Sequence, residues 1–374
     1  MKFSFKKCIA CFSAALIAVA PTSTFAAANY SIINPLEYKI EFGADGPAAI
    51  GKDYYPYGSI WSFKDKVLIG VPDKDDSGNY KTGFTGWMRL SHNSRPGIVK
   101  GKIMYEFSVM MENLRVEETG TDNFGSLEVG RIDIPFTGYD ANGTRNKMTG
   151  VRLMHEKNDE TQYNIVMWKN SAAPGSIIED QVLAKVNFGE WYTVRIEVNM
   201  YEKAANFSIR QADGTEYLAV SSNVPISDSF VAASPYCGDI QYQNTDMRMH
   251  LKDVTYFVEQ VDVKDVVITE DEEQVTAKVL VANDTATTET IDSPTLVLVL
   301  YDSLGRVVDI GMNSLTGANA LVKREAPTTL PADTDYRELT VSLDKPRLYA
   351  DAKAFVIKSM NDLKLYMDPV SVTE

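Results

Sequence analysis

From Tyr192 to Met200 the residues alternate strictly, with Tyr192, Val194, Ile196, Val198 and Met200 on one side and Thr193, Arg195, Glu197 and Asn199 on the other. Side chains in a strand point to opposite faces with period two, so the pattern predicts a long strand with one buried and one wet face. A polar turn follows, then Phe207 and Ile209 alternate with Ser208 and Arg210, and Asp213-Gly214 closes the hairpin. Similar short runs predict strands at Lys102 to Met110, Leu127 to Ile134, Gly150 to His155, Tyr163 to Trp168 and Met247 to Val258. Turns between them are signed by Asp140-Ala-Asn-Gly143 and Lys157-Asn-Asp-Glu160. Few segments carry a helical period, so the chain reads as all-β.

A boundary falls near Gln260. All four tryptophans (Trp61, Trp87, Trp168, Trp191) and all three histidines precede it. Beyond it, Val275 to Val281 alternates, Leu296 to Tyr301 is a continuous apolar run, Asp302-Ser-Leu-Gly305 is a turn, and Arg337 to Leu343 alternates again. That is enough for an independent small sandwich.

The stretch Gly189-Glu-Trp-Tyr-Thr-Val-Arg-Ile196 resembles the Gly-x-Trp-Tyr-x-Val-x-Ile hairpin of concanavalin A-like β-sandwiches, the lectin, laminin G-like and glucanase superfamily. Gly101 to Val109 resembles the strand that opens the curved sheet, and Leu251 to Phe257 the closing strand. The order VTAKVLVANDT, TLVLVLYDSLGRVVDI, RELTVSLDKP, KAFVIKSMNDLKLYMDPVSV resembles an immunoglobulin/fibronectin-like module of secreted, polysaccharide-associated proteins of Gram-positive anaerobes. Ile357-Lys358 and Met367-Asp368-Pro369 depart from that module's last-strand motif. These likenesses imply an all-β chain: a concanavalin A-like jelly-roll sandwich over residues 27–259 and an immunoglobulin-like β-sandwich over residues 260–374.

The first residues set the expected compartment. Lys2, Lys6 and Lys7 precede an apolar run from Cys8 to Ala20, and small residues follow Thr24. The run is shorter than the roughly 20 apolar residues that span a bilayer, and it reads as a signal peptide over residues 1–26. The expectation is a secreted, extracellular protein, held at a cell surface only by what it binds. Cys8 and Cys11 would leave with the leader, and Cys237 reads as a small buried residue rather than a reactive thiol. Loss of the three lysines leaves 34 basic against 51 acidic side chains, a formal charge of −17. So acidic a chain repels nucleic acid and anionic membranes, and no later apolar stretch is long enough for a transmembrane helix.

Catalytic signals are weak. Retaining glucanases of the superfamily carry Glu-x-Asp-x-x-Glu on one strand, whereas Glu128-Val-Gly-Arg-Ile-Asp133 has one glutamate and the wrong spacing. Jelly-roll polysaccharide lyases use arginine, Gln-x-His and tyrosine, for which Arg152, His155, Tyr163 and Lys169 are the candidates. By alternation His155 lies with Val151 and Leu153, opposite Arg152. His92 and His250 are scattered, so no zinc spacing arises. Asp73, Asp75, Ser77 and Asn79 place oxygen ligands at alternate positions with Gly78 for the turn, a candidate calcium loop, although Phe84 stands where a closing glutamate belongs.

Binding chemistry is better supplied. Sugar-binding faces stack aromatic rings on pyranose faces and read hydroxyls with amides and charges. Tyr54, Tyr55 and Tyr57, in a Pro/Gly-rich segment read as loop, and Trp61, Trp87 and Trp168 are the candidate ligand-binding residues; Trp191 is assigned to the core. The expected function is non-catalytic recognition of a polysaccharide or other glycan, with a lyase or hydrolase and a protein-binding adhesive module as rivals.

Overall fold

The computed structural model describes residues 36–43, 54–58, 60–81, 83–90, 101–117, 124, 127–142, 144–170, 177–233, 239–259, 261–283, 294–315, 321, 336–359, 362–366 and 369–372. Residues 1–26, His92 and Cys237 lie outside them. In chain order the elements are β1 (Leu36–Ile40), β2 (Tyr54–Tyr57), β3 (Trp61–Lys64), β4 (Val67–Gly70), β5 (Phe84–Leu90), β6 (Lys102–Asn113) and a single turn of helix, α1 (Leu114–Glu117). Then come β7 (Val129–Asp140), β8 (Arg145–Glu156), β9 (Gln162–Asn170), β10 (Ile177–Asn187), β11 (Tyr192–Asn199), β12 (Ala204–Gln211), β13 (Tyr217–Pro225), β14 (Phe230–Ala233), β15 (Asp239–Gln243) and β16 (Met247–Val258). The rest are β17 (Val261–Glu270), β18 (Gln274–Asn283), β19 (Thr295–Tyr301), β20 (Val307–Ser314), β21 (Arg337–Asp344), β22 (Asp351–Ser359), β23 (Asp362–Leu365) and β24 (Val370–Ser371).

The strands up to β16 form two eight-stranded antiparallel sheets. The first runs β13-β12-β11-β6-β16-β4-β3, with β1 on β16, and the second runs β10-β9-β8-β7-β15-β5-β2, with β14 on β7. Their inner faces enclose one apolar core, fed by Val194, Ile196 and Val198 from the alternating strand and by Ile132, Ile134, Leu153 and Ile165 from the opposite sheet. That face-to-face packing buries the apolar half of each alternating strand. In β16 a bulge between Lys252 and Thr255, with Asp253 at φ 52°, resets the alternation. Met249 and Leu251 before it, and Val254 and Tyr256 after it, therefore all reach the core. Trp191 does not. With Tyr192 pointing inward, its neighbour falls on the outer face, half-buried, with Lys252 Nζ 4.3 Å above its ring.

From Val261 onward a three-stranded sheet, β17-β18-β21, and a five-stranded one, β20-β19-β22-β23 with β24 on β22, enclose a second core. The middle strand β19 is buried on both faces: Leu296, Leu298 and Leu300 join that core, while Val297 and Val299 join Phe355 and Ile357 on the other side.

One end of the larger sandwich is pinned by a buried charged cluster. Asp246, fully buried, lies 2.5 Å from Arg115 Nε and 3.0 Å from His155 Nδ1, and Arg115 also donates to the Leu127 carbonyl at 2.6 Å. Gly130 is required beside it, because a Cβ there would stand 2.2 Å from Asp246 Oδ1. His155 is thus committed to the interior, and its Nε2 contacts the Asp159 carbonyl at 2.6 Å. The cluster continues outward through a stack: Arg115 over Phe124, Phe124 face to face with Tyr80 at 4.4 Å, and Lys74 over Tyr80.

Candidate functional site

The Tyr54–Tyr57 segment, read from sequence as a loop, is the edge strand β2 of the second sheet. Alternation then separates its tyrosines. Tyr54 pairs with Leu90 in register and is fully buried against Phe42 and Phe63, which removes it from any binding surface. Tyr57 points the other way and is 58% exposed. The side chain of Tyr55 lies outside those described, as does that of Lys169. Gly86 permits the close approach of β2, since a Cβ there would meet the Tyr57 carbonyl at 2.6 Å.

The register of the second sheet lines up one row across seven strands on the face away from the core. Tyr57 pairs with Trp87, Trp87 with Gln241, Gln241 with Asp133, Asp133 with Arg152, Arg152 with Val166, and Val166 with Val182. With strands about 4.8 Å apart, six steps carry the row over roughly 29 Å. The row is organised at both ends. At the β2 end Tyr57 stacks on Trp87 (centroids 5.7 Å apart, planes within 10°) and on Phe84 (6.4 Å), and the Arg89 guanidinium lies 5.0 Å over the Trp87 ring. Trp87 is half-buried, so the ring surface open to solvent belongs to Tyr57 and Phe84. Toward the middle, Arg152 forms a two-pronged pair with Asp133 at 2.5 and 3.3 Å. Lys147 Nζ donates to Gln241 Oε1 at 2.8 Å. Trp168, 1% exposed, lies on this outer face with Arg152 4.9 Å and Lys147 5.4 Å over its ring, and its indole N–H is buried without an acceptor.

The structure therefore brings together Tyr57 and Trp87, places Trp168 on the same face four strands away and buried, and sets the other candidates apart. Trp61 packs on the core edge-on to Tyr242 at 5.1 Å and donates to the Tyr57 carbonyl at 3.1 Å, buttressing the platform from behind. Phe84, Arg89, Lys147 and Gln241 are not among the sequence candidates. Alternation within Phe84–Leu90, where Met88 and Leu90 are plainly the core side, is the signal for Arg89; nothing in the sequence pairs β5 with β15.

The lyase set does not assemble. Arg152 lies on the outer face, but Tyr163 is buried in the sandwich core, where burial pushes its hydroxyl well above the usual phenol range, and His155 belongs to the Asp246 cluster. In the candidate calcium loop the donors have partners within the chain. Asp75 Oδ1 accepts the backbone N–H groups of Ser77 and Asn79, both at 2.9 Å, and Asp73 pairs with Lys81 at 2.7 Å. Asp73 and Asp75 thus serve the loop's own turn and its own lysine, and among the described residues no three His, Cys, Asp or Glu side chains gather to hold a metal. Tyr80, clamped in the aromatic stack, anchors the loop instead.

No helix among the described residues is long and apolar enough to cross a membrane. No protein-family model matches the chain, and no curated protein matches it either. Among solved structures it is similar to arcelin-5, a lectin-like defence protein from Phaseolus vulgaris, with 9% identity over 61% of this chain and 98% of that one, at a TM-score of 0.32. It is similar to a winged bean acidic lectin complexed with methyl-α-D-galactose (12% identity, 59% and 97% covered, TM-score 0.37). An alginate lyase from Alteromonas sp. 272 is also similar (14% identity, 59% and 98% covered, TM-score 0.33). At such identities and scores these likenesses add nothing on ligand or activity to what the geometry gives.

Proposed function

We propose that this is a secreted, non-catalytic carbohydrate-binding protein whose concanavalin A-like sandwich holds a polysaccharide across the outer face of its second sheet, with residues 260–374 as an immunoglobulin-like spacer. The observation that carries the reading is the platform end of the row: the exposed rings of Tyr57 and Phe84, continuous with the half-buried Trp87, Gln241 and Lys147 and braced beneath by the buried Asp133–Arg152 pair. Exposed rings stack on the apolar face of a pyranose, and the fixed polar groups beyond them read hydroxyls, which is the division of labour a glycan needs. The ion pair favours binding over turnover, since Asp133 is committed to Arg152 and is a poor general base.

Affinity electrophoresis of the chain through gels of individual plant, algal and bacterial polysaccharides tests the proposal. Selective retardation is expected, and it should weaken about 3- to 10-fold in Tyr57→Ala and again in Phe84→Ala, the worth of one ring contact each. Both side chains are solvent-exposed, so the fold should survive. Unchanged mobility in every gel, or retardation indifferent to both substitutions, would sink the reading.

A further inference from the structure

The flank opposite β2 is where both sheets end a second time: β13 closes the first sheet, β10 the second, and the two lie against each other. β13 pairs with β12 on one side and with no other strand among the described residues. Exposed strand edges are usually blunted by charge, because their open N–H and C=O groups are templates for pairing. Charge does not blunt this one, although its register on β12 slips between Ala205 and Phe207 and between Ile209 and Arg210, and Asn223 sits at φ 58°. From Tyr217 to Ser227 the chain has no charged residue, although 24% of all its residues are charged. The same edge presents Tyr217, Leu218 and Val220 at 46%, 53% and 49% exposure.

We propose that this flank is a homodimer interface in which β13 pairs antiparallel with β13 of a second copy across a two-fold axis. Charge selects the occupant. The chain carries a net −14, so two copies repel over most of their surface and can approach where the surface is neutral and apolar. The regular stretch Ala219–Ser221 between the two slips is self-complementary: pairing centred on Val220 sets Val220 against its own copy and Ala219 opposite Ser221, with no like charges facing, as an isologous contact requires. Area agrees. Nine residues of strand run about 30 Å, and two sheets about 10 Å apart with their side chains give a flank of roughly 600 Å² per copy, near the lower bound of stable interfaces. Tyr57 and Phe84, on the far flank, stay open in such a dimer.

Sedimentation of the full chain across micromolar to sub-millimolar concentration should give the mass of two chains, and the double variant Leu218→Lys, Val220→Lys that of one. The variant should keep the far-ultraviolet dichroism of the parent. Should it fail to fold, Val220→Cys with Cys8, Cys11 and Cys237 changed to serine provides the second measurement, a disulfide-linked dimer forming under mild oxidation. A parent chain that stays monomeric throughout, a dimer that survives both lysines, or a Val220→Cys variant that never cross-links overturns the proposal; the first two outcomes hand the edge to a foreign partner or place the interface elsewhere.

Discussion

Glu197→Gln should stabilise the larger sandwich at pH 8 by on the order of 3 kcal/mol and leave it nearly unchanged at pH 4.5. Glu197 projects from β11 on the outer face of the first sheet, is 4% exposed, and its Oε1 has no hydrogen-bond partner. Burial pushes its carboxyl up to about 8, against the smaller opposing pull of Lys102 and Arg195. A folded-state value raised above the ordinary 4.5 means the native state binds the proton more tightly than the unfolded chain. Stability from this group is then fully present below pH 4.5 and is lost as the pH rises toward 8, at about 1.4 kcal/mol per pH unit. Glutamine has no proton to lose and removes that slope. Tryptophan fluorescence during urea unfolding isolates the effect, because all four tryptophans precede residue 260. A parent whose stability is flat from pH 5 to 8 would refute the account.

The opposite sign is expected at another buried carboxyl, that of Asp246. Asp246→Ala should cost about 3–5 kcal/mol at pH 7, since it strands the half-buried Arg115 guanidinium without its counter-charge and leaves the buried His155 Nδ1 without its partner. Burial alone would raise the Asp246 carboxyl, yet its contacts with His155 and Arg115 outweigh burial and hold it below the usual range. A depressed value contributes stability above the unfolded carboxylate range, lost as the pH falls through the folded value. The gap between parent and variant should therefore shrink on acidification toward pH 3, followed by the same fluorescence. An Asp246→Ala protein as stable as the parent at pH 7 would show that the cluster pins nothing.

Period-two alternation made the fold class legible, and for good reason. Every strand named from sequence overlaps an observed one, and Met247–Val258 matches its strand from end to end. Alternation also said which face each residue takes, as it does for His155 against Arg152. What it could not say is which strands neighbour one another. The row from Tyr57 to Val182 joins seven strands through long-range register, and a single-sequence pattern carries no such pairing. The segment Tyr54–Tyr57 reads as a loop because Pro56 and Gly58 are turn residues by habit, yet an edge strand tolerates a proline whose missing N–H faces no partner. The oxygen-rich Asp73–Asn79 loop reads two ways for a related reason: the Asp, Ser and Asn spacing that suits calcium also builds turns that hydrogen-bond their own backbone.

Strand β19, sealed on both faces in the folded state, has another side when the chain is unfolded. Thr-Leu-Val-Leu-Val-Leu-Tyr, residues 295–301, is seven uncharged residues of high β-propensity, the composition of a steric-zipper segment. Its protection is kinetic and local. The four-residue turn after it, where Asp302 accepts the N–H groups of Leu304 and Arg306, folds β20 back onto β19 with minimal loop closure. Hairpins of this kind close within microseconds, long before the distant β22 arrives on the other edge. Weakening that turn would therefore show first as inclusion bodies and fibrils during synthesis, and only second as a lower melting temperature.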